Sequence, residues 1–151
     1  MNEAARRAMN IAFHGTVPLN NKIGIVMGRL APGVAHTTLP PNPALANEQG
    51  HLHNGALSII LDTTSGMAAF MSLDKMMPFA TLNMRIDYHH VARVDKTTNF
   101  VSTLYTKSGQ VITFHATAKQ EGVEVASAVV TFMLGTPVAD PNHIPAWAEI
   151  K

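Results

Sequence analysis

Residues 55–72, GALSIILDTTSGMAAFMS, form the stretch that decides the fold. Positions spaced three and four apart are mostly apolar, a period typical of an α-helix; they are Leu57, Ile60, Leu61, Thr64, Met67, Ala68 and Met71. The positions between them, such as Ile59 and Phe70, are also largely apolar. We therefore predict a helix that is covered on most sides and needs a large apolar partner surface.

The chain before this helix favours a strand hairpin. Residues 22–30 and 34–39 have strand-like composition, and Ala31-Pro32-Gly33 between them has turn chemistry. Residues 40–50 contain three prolines, which lack the backbone donors of a ladder, so an ordered loop or covering segment is predicted there.

The chain after Pro78 changes to a period of two. Apolar residues alternate with polar ones along a predicted strand; the apolar set is Leu82, Met84, Ile86 and Tyr88, and the polar set is Asn83, Arg85, Asp87 and His89. Three more strands are predicted at about residues 97–107, 110–120 and 123–134, with turns at Ser108-Gly109 and Glu121-Gly122.

This order of elements predicts one α+β domain over residues 1–151, in which an antiparallel sheet wraps the helix. The last four strands are expected to form a meander, because their links are short. A short N-terminal helix is predicted at about residues 2–13. An extended C-terminal arm is predicted at about residues 135–151, with Ile144 and Trp147 holding it down.

Composition excludes several classes of function. The chain is 46% hydrophobic and 14% charged, which is incompatible with intrinsic disorder. A net charge of +1 gives no electrostatic footprint for nucleic acid or an anionic membrane. Without cysteine there is no disulfide, thiolate nucleophile or zinc–thiolate site. No apolar run of about 20 residues occurs, so a soluble, cytoplasmic protein is expected.

One acid stands out in the apolar helix. Asp62 is the only charged residue between Gln49 and Leu73, and Ser58, Asp62 and Ser65 fall on one narrow polar stripe. Either this stripe faces solvent, or it lines a small polar cavity in which Asp62 does chemistry. A stripe of hydroxyls around one acid favours the cavity.

The start of the helix is a second candidate. Gly55 would let a ligand approach the backbone, and first-turn amides without partners can stabilise the oxyanion of an attacked thioester or ester. Alternatively, Asn54 caps the helix and Gly55 fits the turn.

Three motifs carry a resemblance that extends from about residue 22 to 134. His53-Asn54-Gly55, Leu61-Asp62-Thr63 and the strand Thr81 to Tyr88 resemble the PaaI-like acyl-CoA thioesterases of the 4-hydroxybenzoyl-CoA thioesterase superfamily. The resemblance implies a hotdog fold, in which a five- or six-stranded antiparallel sheet wraps one long central helix. It also implies a homodimer with a continuous sheet, often paired into a tetramer, and no cofactor beyond the coenzyme A of the substrate.

The resemblance further implies roles for individual residues. Asp62 would be the general base or nucleophile, and the Gly55 amide would polarise the thioester carbonyl. Asn47 would orient the thioester or water, and Thr81 would lie beside the attacking water. The anion hole and the acid would come from different subunits. Asn54 replaces the usual middle glycine, where it would add a hydrogen bond or narrow the acyl pocket.

Several other residues are candidates for substrate binding or metal binding. The substrate-binding set is His53, Asn54, Ser58, Ser65, Arg85 and Arg93. The two arginines, with Lys96 and Lys107, are candidates to contact coenzyme A phosphates, and the alternative is that each is a solvated surface residue. A metal site built from His51, His53, His89 and His90 is disfavoured, because the last two are adjacent on a predicted strand and point to opposite faces. We therefore predict no metal.

Two other functions compete with hydrolysis. A hotdog protein could bind acyl-CoA as a sensor or carrier without cleaving it, although the acid at Asp62 argues against this. A hotdog hydratase would be expected to have a histidine five residues after the acid, where this chain has Met67.

Overall fold

The computed structural model describes residues 17–74 and 77–136. The predicted N-terminal helix and all but the first two residues of the predicted C-terminal arm lie outside these ranges.

The predicted long helix is present as α2, which spans Asn54–Phe70. Its inner side is fully buried, with Leu57, Ile60, Leu61 and Ala68 at most 1% exposed. These side chains belong to one core with the sheet residues Phe100, Ile112, Phe114, Val130 and Phe132. Burial of each large apolar side chain contributes about 1.5–3 kcal/mol, so this contact dominates the stability of the fold.

Six antiparallel strands form one sheet around α2 in the order β1-β2-β4-β5-β6-β3. The strands are β1 Val26–Ala31, β2 Val34–Leu39, β3 Phe79–Tyr88, β4 Thr98–Ser108, β5 Val111–Gln120 and β6 Val123–Leu134. This architecture is the hotdog fold, as predicted.

The predicted meander of four strands is wrong in one respect. β3 does not pair with β4, which follows it in the chain; it pairs with β6 along almost its whole length and forms an edge of the sheet. The link 89–97 is too long for a tight hairpin and buries Ala92 and Val94 on the way to β4. It is held by backbone bonds from Leu52 N–H to the Ala92 carbonyl and from Asn42 N–H to the Val94 carbonyl.

The first predicted strand begins too early. Residues Pro18–Ile23 form a short helix, α1, which starts at a proline and ends at Gly24 in the left-handed region (φ 83°). Proline is favoured in the first turn of a helix, and glycine is favoured just after its end. The loop predicted for residues 40–50 contains one 3₁₀ turn at Pro43–Leu45.

A β-bulge interrupts β3 between Thr81 and Asn83. Beyond it, Met84 and Ile86 lie opposite the core residues Val130 and Ala128, and regular alternation would place Leu82 on the same inner face. The extra residue instead leaves Leu82 58% exposed and places Thr81 opposite the core residue Phe132. Leu82 therefore does not belong to the apolar face as predicted, and Thr81 faces the helix.

Candidate active site

Asp62 lies in the middle of α2 and is half-buried. Thr81 Oγ1 on β3 donates a hydrogen bond to its Oδ1 at 2.8 Å. Among the described residues this is the single hydrogen bond to the carboxylate, so Oδ2 remains open to accept a proton. The structure thus brings together two of the predicted catalytic residues through the bulge in β3.

The predicted polar stripe is not a single feature. Ser65 is fully buried against the sheet, where its hydroxyl donates to the Leu61 carbonyl at 2.8 Å and accepts from Ser102 at 3.0 Å. Asp62 and Ser58 are instead half-buried on the less covered part of the helix. Ser65 is a fully buried link between α2 and β4 and is not exposed on the surface that carries Asp62 and Ser58.

The start of α2 is organised by His53. Its Nδ1 accepts a hydrogen bond from the Gly55 amide at 2.8 Å, so His53 is the N-cap and Asn54 is the first helical residue. The expectation that Asn54 caps the helix is therefore wrong. A Cβ on residue 55 would lie 2.9 Å from Nδ1, so any side chain there would require the imidazole ring to move.

The His53 cap changes which amide is free. The amides of Ala56 and Leu57 both donate to the His53 carbonyl, and Gly55 N–H donates to the ring of the same residue. No hydrogen bond within residues 17–74 and 77–136 uses the amide of Asn54. In this conformation Asn54 N–H is the first-turn donor that is open to a ligand.

Ser58 joins the first turn of α2 to the end of β3. Its hydroxyl donates to the Asn54 carbonyl at 2.9 Å and lies 2.7 Å from the hydroxyl of Tyr88. Tyr88 OH also approaches the Asn54 carbonyl at 3.4 Å. The alternating pattern of β3 includes Tyr88 only as an apolar residue, so its contact with Ser58 was not predicted. A tyrosine at an inward position carries a hydroxyl that needs a hydrogen-bond partner, and this could have indicated the contact.

Asn47 shapes the loop before α2. Its side-chain carbonyl accepts from the amides of Gln49 and His51, both at 3.0 Å, and its backbone amide donates to the His51 carbonyl at 2.7 Å. Its Nδ2 donor takes part in none of the hydrogen bonds found in the described part of the chain. Asn47 thus closes the loop with its oxygen and retains a donor for a ligand.

The two predicted phosphate-binding arginines are not brought to Asp62. Arg85 pairs with Val129 on the outer sheet face and donates to Asp87 at 3.1 Å. Arg93 lines a shallow cleft formed with residues 49–51, 94 and 95. There its Nε and Nη2 donate to Asp95 at 2.9 and 2.6 Å. These hydrogen bonds raise the pKa of the Arg93 guanidinium and lower the pKa of the Asp95 carboxyl.

The histidines considered for a metal site are dispersed. His89 and His90 follow the end of β3, so they are not adjacent strand residues as predicted. The His89 ring lies 2.8 Å from Ser127 Oγ, and the His90 ring lies 3.0 Å from the Glu124 carbonyl. Within the described ranges, no three histidine or acidic side chains converge as metal ligands.

Comparison with known protein families and solved structures shows the family to which this chain belongs. The family model described as the thioesterase superfamily matches residues 49–127, more than half of the 151 residues. The chain belongs to the thioesterase superfamily. The matched segment contains α2 with its cap, Asp62 and Thr81. No protein of curated function matches the sequence closely.

Solved structures agree with this assignment at the level of the fold. A conserved protein of Pseudomonas aeruginosa is 25% identical, with a TM-score of 0.75 over 81% of this chain and 98% of its own. The PaaI protein of the E. coli phenylacetic acid degradation operon is 15% identical, with a TM-score of 0.78 over 87% and 94%. A Streptococcus mutans protein bound to acetyl CoA is 18% identical, with a TM-score of 0.70 over 75% and 90%.

The helices of the described residues are too short or too polar to cross a bilayer.

Proposed function

We propose that this protein hydrolyses an acyl-CoA thioester to a free acid and coenzyme A. The observation that carries the proposal is the environment of Asp62. This half-buried carboxylate lies within the segment matched by the family model. One of its oxygens accepts a hydrogen bond from the Thr81 hydroxyl, and the other accepts none from the described residues. A carboxylate that is oriented but not neutralised can take a proton from water or attack a carbonyl carbon.

Both routes lead to the same products. As a general base, Asp62 removes a proton from water while the water oxygen attacks the thioester carbonyl. As a nucleophile, Asp62 forms an anhydride with the acyl group and water then cleaves it. Coenzyme A leaves as the thiol in either case.

The oxyanion is assigned to the start of α2, where the amides of Asn54 and Gly55 and the helix dipole favour negative charge. The Asn54 amide is open, whereas the Gly55 amide becomes available only if the His53 ring moves. The exposed side chain of Asn54 and the Nδ2 of Asn47 are further donors for the carbonyl or for water.

The spacing of these groups supports a site shared by two copies. Gly55 and Asp62 are seven residues apart, which corresponds to about 10 Å along a helix axis. One thioester carbonyl needs a donor and an attacking group that are each about 3 Å away. In a dimer, the α2 helices of the two protomers would pack antiparallel through their half-buried sides. Asp62 of one protomer would then lie opposite the helix-start amides of the other. The proposed unit is therefore a homodimer or a dimer of dimers.

The experiment measures release of free coenzyme A from short, long and aromatic acyl-CoAs. We expect wild-type turnover with at least one class, and a loss of about 100-fold or more in kcat for Asp62→Asn. Asp95→Asn is the matched control, because it neutralises an aspartate outside the proposed site. Acyl-CoA binding without thiol release would instead indicate a non-catalytic binding protein. A near-normal rate for Asp62→Asn would remove this residue from the mechanism.

A further inference from the structure

We propose that Tyr88 is a positioning residue for the anion-binding end of α2, acting through Ser58. This inference rests on the proposed thioesterase function. Tyr88 is the last residue of β3, and its hydroxyl reaches the first turn of the helix. The proposal concerns how that turn is held, since the short contact of Tyr88 is to Ser58 at 2.7 Å, and its direct approach to the Asn54 carbonyl is longer, at 3.4 Å.

The direction of the hydrogen bonds follows from the number of protons. Ser58 Oγ donates its single proton to the Asn54 carbonyl at 2.9 Å. Because Ser58 Oγ is nearer to this carbonyl than Tyr88 OH is, 2.9 Å against 3.4 Å, we assign the contact of 2.7 Å between the two hydroxyls as a donation from Tyr88 to Ser58. The result is an ordered chain from Tyr88 O–H to Ser58 O–H to the Asn54 carbonyl.

This chain acts on one peptide unit, the one that joins Asn54 to Gly55. The carbonyl end accepts from Ser58, and the N–H end donates to His53 Nδ1 at 2.8 Å. With both ends held, this peptide plane has a fixed orientation. The open Asn54 N–H belongs to the preceding peptide, whose carbonyl accepts from Ala56 and Leu57, so the two planes together set its direction. Hydrogen bonding at the carbonyl also polarises the N–H of the same peptide, which strengthens the bond from Gly55 N–H to His53 Nδ1.

A purely structural role for the hydroxyl explains less. Tyr88 is 43% exposed, so its hydroxyl is not needed to satisfy a buried polar group. A phenylalanine there would keep the contacts of the ring and should cost little stability. Removal of the hydroxyl leaves Ser58 bonded to the Asn54 carbonyl. We therefore expect the loss to appear in transition-state stabilisation more than in folding.

The test compares Tyr88→Phe with Tyr105→Phe, which alters the only other tyrosine of the chain. Tyr105 is 66% exposed and stacks on His115 with ring centroids 4.3 Å apart. For Tyr88→Phe we expect kcat to fall by about 3- to 10-fold with KM within about twofold, as for loss of one hydrogen bond. Tyr105→Phe should match the wild type.

A double-mutant cycle with Ser58→Ala tests the route. If Tyr88 acts through Ser58, Tyr88→Phe should have no further effect on kcat in the Ser58→Ala protein. An unchanged kcat for Tyr88→Phe alone, or fully additive losses in the double variant, would overturn the proposal.

Amide hydrogen exchange at Gly55 separates this inference from the proposed function. If wild type cleaves no thioester, the proposed function fails, but the positioning claim still predicts faster exchange at Gly55 in Tyr88→Phe and not in Tyr105→Phe. Equal exchange in all three proteins would overturn the positioning claim even if the wild type is an active thioesterase.

Discussion

Asp62 and Asp95 are two carboxylates of this chain that are held in opposite ways. Asp62 is half-buried on α2 and receives one neutral hydroxyl at one oxygen. Asp95 is exposed in the link before β4, and both of its oxygens accept from the guanidinium of Arg93. Among the residues that the structure describes, a cation thus pairs with the exposed acid, and none pairs with the acid that is partly removed from water.

This difference supports the proposed role of Asp62 as the reactive acid and a structural role for Asp95. A bidentate arginine occupies the lone pairs of Asp95 and lowers the pKa of its carboxyl, so it is a poor base. A hydroxyl donor orients a carboxylate without cancelling its charge. Thr81 has this second role, and the bulge at Leu82 turns it toward Asp62.

After the loss of the Asp62 charge itself, removal of the Thr81 hydroxyl should give the largest fall in kcat. Thr81→Val keeps the shape of the side chain but leaves Asp62 without its donor, so the carboxylate can rotate away from the thioester. We expect kcat to fall by about 10-fold, within the range for a misoriented general base. Steady-state kinetics should show Thr103→Val, an exposed position on β4, at the wild-type rate. Equal rates for both variants would show that Thr81 does not orient the acid.

A smaller effect is expected at Gly55, where the His53 ring accepts the backbone amide and so holds the first turn of α2. The Cβ of Gly55→Ala would displace the His53 ring and break the cap, at a cost of about 1 kcal/mol. Alanine's better helix propensity, at most about 1 kcal/mol, offsets part of this. In a His53→Ala protein the cap is already absent, so the same substitution should stabilise.

Denaturant unfolding of the four proteins measures this coupling. Gly55→Ala changes the free energy of unfolding in each background. We expect this change to be about 1 kcal/mol more stabilising in the His53→Ala protein than in the wild type. Identical responses in both backgrounds would mean that the ring does not constrain residue 55.

The sequence was sufficient to predict the elements that periodicity controls. A run of apolar residues at helical spacing predicts α2, and the single acid within it identifies Asp62 as the candidate for chemistry. Turn chemistry also predicts Glu121-Gly122, where both residues have positive φ.

The features that the sequence did not reveal depend on contacts between distant segments. Pairing of β3 with β6 instead of β4 is fixed by tertiary packing, since both pairings satisfy the alternation of apolar residues. The bulge at Leu82 is one extra residue with no turn signal, yet it decides which side of β3 carries Thr81. The His53 cap was missed because Asn54 is the better N-cap residue by propensity.

The smallest expected effect belongs to the Arg93–Asp95 pair, which is an exposed ion pair outside the proposed site. The lowered pKa of Asp95 means that its contribution to stability is present above the ordinary aspartate pKa and is lost as pH falls through the lowered value. Asp95→Asn should therefore unfold at a slightly lower denaturant concentration than wild type at pH 7. The two midpoints should begin to approach each other as pH falls below about 4, and they should converge below the lowered pKa of Asp95. A gap that persists in acid would show that Asp95 stabilises the link through something other than its charge.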